Sequence, residues 1–68
     1  MNMKFSKVKN LEDVTQLDEV GDGQATTNIF IMYPRTREIV TFANMLEVIQ
    51  PYRYEKLQKM TKDGLVYR

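Results

Sequence analysis

The run Thr26-Thr27-Asn28-Ile29-Phe30-Ile31-Met32-Tyr33, stopped by Pro34, decides the fold. It is dense in β-branched and aromatic residues, which fit a pleated surface and favour strand. Proline at the second position of Tyr33-Pro34-Arg35-Thr36 suits a type I turn, so Arg37-Glu38-Ile39-Val40-Thr41 can return as an antiparallel partner. The expected unit is a hairpin over 26–41. Side chains alternate across a strand, which sends Ile29, Ile31 and Tyr33 to one face and Phe30 and Met32 to the other. Ile39 and Val40 are adjacent and must also face opposite sides. Both faces are therefore apolar, whereas a sheet with one face in water alternates apolar with polar residues. Each side needs a cover.

Downstream, Phe42, Met45, Leu46 and Ile49 stand at i, i+3, i+4 and i+7, a spacing that predicts a helix capped near Thr41 and laid on one face of the hairpin. Pro51 either breaks that helix or opens a second one at its first position, over 51–62. Tyr54, Leu57, Met60 and Thr61 would share its inner face. Gly64 would end it in the left-handed conformation, with a last strand at Leu65-Val66-Tyr67. Upstream, Asn10 followed by Glu12 and Asp13 reads as a helix start over 11–20. Leu11, Val14, Leu17 and Val20 recur every three positions and spiral around such a helix; the alternative is irregular chain, or a strand ending at the turn Gly21-Asp22-Gly23. Residues 3–8 suit a short strand. The expected class is α+β: one domain, 1–68, with a small antiparallel sheet built on the hairpin 26–41 and packed against a helical segment 42–62 broken or kinked at Pro51.

Composition narrows the chemistry. The 68 residues are 43% hydrophobic and 28% charged, ordinary for a globular domain but near the size at which a single core is barely sufficient. Zero Cys removes disulfides, thiolate nucleophiles and cysteine-ligated metals; zero His removes the commonest general base and most remaining transition-metal ligation. No apolar run reaches the roughly 18 residues of a membrane span, and the start Met1-Asn2-Met3-Lys4-Phe5-Ser6-Lys7 lacks the apolar core of a signal peptide. A cytoplasmic location and no membrane partner are expected. Asp18 to Gly23 echoes a calcium loop, but Val20 and Ile29 occupy two ligand positions, so no metal is expected. No cofactor and no enzymatic activity are expected either, since no carboxylate spacing is diagnostic and so small a chain has little room for a pocket.

What remains is binding. Net charge is only +1, divided as −2 over residues 1–28 and +3 over 29–68. The leading reading is a non-enzymatic module that binds and modulates a larger protein, or a second copy of itself as a homodimer. Its apolar centre would be Phe30, Met32 and Val40, with Tyr33, Arg35 and Arg37 at a charged rim. Size alone suggests an accessory or inhibitory protein, phage-encoded. The competing reading is a dimeric nucleic-acid-binding protein using Arg35, Arg37, Arg53, Lys56, Lys59 and Lys62. A third is capture of a small nucleotide-like ligand by Tyr33, Arg35 and Arg37.

Over residues 36–62 the order strand, helix, helix resembles that of ribbon-helix-helix DNA-binding proteins, whose paired strands enter the major groove from a dimer. The likeness is one of order. Glu38, Val40 and Phe42 on one side, and Arg37, Ile39 and Thr41 on the other, do not make the polar base-reading face of that family.

Overall fold

The computed structural model describes residues 4–68, so of the short strand expected at 3–8, Met3 lies outside the described residues. After a single 3-10 turn at Leu11–Asp13 come β1 (Thr15–Leu17), β2 (Gly23–Ala25), β3 (Ile29–Met32), β4 (Ile39–Ala43), β5 (Val48–Ile49), α1 (Pro51–Lys62) and β6 (Val66–Tyr67). The strands form two antiparallel sheets, ordered β1-β2-β5 and β4-β3-β6, and the helix packs with them. The α+β class with sheet against helix stands. Lys7 bridges Tyr67, and Ser6 and Arg68 exchange backbone bonds at 2.9 Å, so residues 6–8 lie beside β6.

The hairpin is present, with Phe30 opposite Thr41, Ile31 opposite Val40 and Met32 opposite Ile39. Its loop is longer than the expected four-residue turn. Tyr33 N–H donates to Glu38 C=O at 2.9 Å, and Arg37 N–H to Tyr33 C=O at 2.7 Å, with Arg37 at φ 60°. The turn at 34–36 is closed by the bond from Arg37 N–H to Tyr33 C=O, and the left-handed residue that returns the chain to the strand is Arg37. The return strand accordingly begins at Ile39.

The segment 42–49 is not helical. Phe42 and Ala43 continue β4, Ala43 pairing with Ile29, and Val48–Ile49 pair with β2. Between them Asn44 and Glu47 hold a tight turn: Glu47 N–H donates to Asn44 C=O at 3.0 Å and Asn44 N–H to Glu47 Oε1 at 3.1 Å. The helical spacing of Phe42, Met45, Leu46 and Ile49 is a coincidence of composition. Val48 and Ile49 are β-branched, and Gln50 is held extended (φ −64°, ψ 156°) by the proline that follows, so a helix has no room to finish. Without this helix the ribbon-helix-helix order disappears. Pro51 instead opens α1, and Tyr54, Leu57, Met60 and Thr61 turn inward. Gly64 (φ 74°) closes it: Gly64 N–H reaches Thr61 C=O and Leu65 N–H reaches Met60 C=O, satisfying the last orphan carbonyls.

The helix expected over 11–20 is replaced by a 3-10 turn and β1. Asn10 makes no side-chain cap, and Leu11 and Val14, three apart, match the three-residue pitch of a 3-10 turn; both are buried. Of the two glycines read as one break, only Gly21 has positive φ, 91°. Gly23 sits inside β2.

The core gathers Val8, Leu11, Val14, Ala25, Ile29, Ile31, Ile49, Tyr54, Leu57 and Val66. It lies between the inner faces of both sheets and α1. Inside it Thr15 donates from Oγ1 to Leu11 C=O at 2.8 Å and sits 3.2 Å from the hydroxyl of Tyr54, which is buried as well. Both hydroxyls are thereby satisfied without water.

Candidate binding surfaces

The two faces of β3 have different fates. Ile29 and Ile31 are buried against the core, with Ala43, Val66 and Val8 on the same side. On the other side Phe30, Met32 and Tyr67 are only half-buried, Ile39 is exposed, and Phe5 packs edge-on against Phe30 with ring centroids 5.0 Å apart. No residue of that outer face is buried among those described. The register also corrects the expected apolar centre. Val40 is opposite Ile31 and packs on the core, so it does not join Phe30 and Met32; Ile39 takes that place. Which residues of two paired strands share a face depends on their register, and a shift of one residue exchanges Val40 with Ile39.

Tyr33, Arg35 and Arg37 are all exposed at the hairpin tip. The basic residues divide further. Arg53 is committed internally: Nη2 donates to Phe42 C=O at 2.9 Å, the guanidinium lies 4.4 Å from the centre of the Phe42 ring, and Nη1 is 3.6 Å from Glu47 Oε2. The reason lies in a bulge. Ile29 pairs with Ala43 and Phe30 with Thr41, which leaves Phe42 as the extra residue of β4 with a carbonyl outside the ladder. Lys56 lines a groove of about 380 Å³ between β4 and α1 with Tyr33, Val40, Thr41 and Tyr52. Lys62 lines a different groove, beside Lys9 and Glu12. Lys56 and Lys62 lie about 120° apart around the helix axis, and Lys59 is exposed between them. The six cations of the nucleic-acid reading are therefore not one surface.

Four more exposed apolar residues escaped the sequence reading: Leu17, Met45, Leu46 and Val48 are 58%, 59%, 65% and 56% exposed. The register puts Leu17 beside Gly23 and Val48 beside Gln24, on opposite sides of their sheet, and Gln24 Nε2 donates to Leu46 C=O at 3.1 Å. Leu46 has φ 72°, a conformation costly for a branched side chain and held by Leu46 N–H donating to Ala25 C=O at 2.7 Å. The available signal was Pro51, which argues against a helix through Gln50 and so against burying Met45 and Leu46 on one.

Among the described residues no group of three or more acidic side chains could hold a metal. Asp18 turns its Oδ1 to the backbone N–H groups of Val20 and Asp22, at 3.0 and 2.9 Å, and so stabilises the β1–β2 loop. No described helix is long and apolar enough to cross a membrane. No protein-family model, curated protein or solved structure matches the chain.

Proposed function

We propose that the chain is a non-enzymatic binding module that attaches to a larger protein, as an accessory or inhibitory factor in the cytoplasm, through the outer face of the β4-β3-β6 sheet. One observation carries the reading: Phe5, Phe30, Met32, Ile39 and Tyr67 meet on a face of that sheet where no described residue is buried, while Ile29, Ile31, Ala43 and Val66 on the opposite face are buried in the core. Aromatic residues and Met are the types enriched at the centre of protein interfaces. A sheet face in water would instead carry polar residues at these positions. Tyr33, Arg35 and Arg37 at the adjoining tip supply a polar rim.

The test combines sedimentation with an environment-sensitive apolar dye. The protein should bind the dye, or bury the face by pairing with a second copy at micromolar concentration. The double variant Met32→Ser with Ile39→Ser should abolish either behaviour while keeping the far-ultraviolet spectrum of the parent. A monomer that binds no dye would overturn the reading.

A further inference from the structure

We propose that the free edge of β4, with the groove beside it, accepts an extended peptide strand in which acidic and apolar residues alternate. Among the described residues β4 ends its sheet, with β3 on one side only. The closing pair Tyr33/Glu38 is hydrogen-bonded, so Val40 is the next residue to bond β3, and the N–H and C=O of Ile39 and Thr41 point away from the sheet. Those outward groups are what an added strand pairs with. Arg53 on the Phe42 carbonyl fixes one end of the open stretch.

The side chains beside the edge set the partner's chemistry. The groove between β4 and α1 is walled by Tyr33 (49% exposed) and Tyr52 (69% exposed), with Lys56 exposed beside them. Arg35 and Arg37 are exposed at its hairpin end. The nearby acids are Glu38, in the hairpin, Glu55, exposed on α1 next to Lys56, and Glu47, which is taken by Arg53, so Lys56, Arg35 and Arg37 still outnumber the free carboxylates. The surplus is positive and fits carboxylates. On an added strand successive side chains alternate between the groove and the outer face. Acidic residues would thus meet Lys56, while the residues between them would extend the apolar face beyond Ile39. The apolar half of this motif rests on the interface proposed above; the acidic half does not.

A second copy fits less well, since two-fold pairing of β4 edges would bring both basic grooves together. Single-stranded nucleic acid would use the tyrosines and cations but leave the strand edge unpaired.

The experiment is fluorescence anisotropy with labelled eight-residue peptides alternating Glu with Val, or Lys with Val, and with an oligothymidylate. The Glu/Val peptide should bind at least ten-fold more tightly than the Lys/Val peptide. Lys56→Glu combined with Arg35→Glu should weaken it ten-fold or more and flatten its salt dependence, and amide resonances of Ile39 and Thr41 should shift on binding. Binding unaffected by charge reversal but lost in Met32→Ser would overturn this proposal while sparing the outer-face reading. Binding of the oligothymidylate alone, or of no probe, would overturn it outright.

Discussion

Replacing Gly23 by alanine tests how the two halves of the core fit. A Cβ at this position would lie 2.9 Å from Tyr54 Cδ2, 3.3 Å from its Cε2 and 3.5 Å from Ile49 C=O. The ring cannot swing away freely. Tyr54 is buried, and its hydroxyl contacts Thr15, which is itself bonded to Leu11 C=O. Overpacking of this kind costs about 1–3 kcal/mol. Because Gly23 lacks positive φ, alanine also restricts the unfolded chain, which returns about 0.4–1 kcal/mol. The net loss is centred near roughly 1.3 kcal/mol, with bounds of about 0 and 2.6. At about 2.1 cal/mol/K per residue, the unfolding entropy of this chain is roughly 0.14 kcal/mol/K, so the central expectation is a fall in Tm of about 9 °C. Circular dichroism melts of Gly23→Ala and its parent measure this directly. In a Tyr54→Leu background, where the ring is gone, the same change should be neutral or stabilising. A raised Tm in the parent background would refute the close approach of the ring to β2.

Thr15→Val keeps the shape but leaves Leu11 C=O and the Tyr54 hydroxyl without their partner, so denaturant melts should show a loss of about 1–2 kcal/mol. Arg53→Lys cannot both stack on Phe42 and reach its carbonyl; it should cost about 1 kcal/mol and speed hydrogen exchange along β4. Leu46→Gly should leave Tm level or raise it by up to about 10 °C, because relief of roughly 1–2 kcal/mol at a left-handed position matches or exceeds the chain-entropy cost of glycine, about 0.5–1 kcal/mol. A fall in Tm would show that the Leu46 side chain holds more than its exposure suggests.

Much of the architecture was readable where local chemistry leaves one choice. Proline at 51 can begin a helix but not sit inside one, and Gly64 can end it, so α1 and the strand after it fall where the spacing of Tyr54, Leu57 and Met60 puts them. Ile29 to Met32, β-branched and aromatic and stopped by Pro34, favours strand. The segment 42–49 misled because its four apolar residues satisfy a helical period by chance, and the signal against it lay in two residues, Gln50 and Pro51. The site was legible in part. The sequence shows Phe30 and Met32 as a face in need of cover, but it does not show that Ile39 rather than Val40 joins them, since faces on a returning strand depend on loop length. Leu17 and Val48 give no local sign of exposure, because whether an apolar residue meets water depends on what the rest of the chain places over it.

The amino-acid order by itself determined that this is a small α+β chain without cysteine or histidine chemistry, built on a hairpin apolar on both sides and a helical segment interrupted or begun at Pro51. Those features follow from backbone geometry and composition, which act over a few residues. Only the tertiary structure decided which side of the hairpin is buried, that Arg53 serves the Phe42 bulge rather than a ligand, and that the edge of β4 stays open. These outcomes rest on pairings between residues far apart in the chain, where register and packing choose among arrangements that local preferences leave equal.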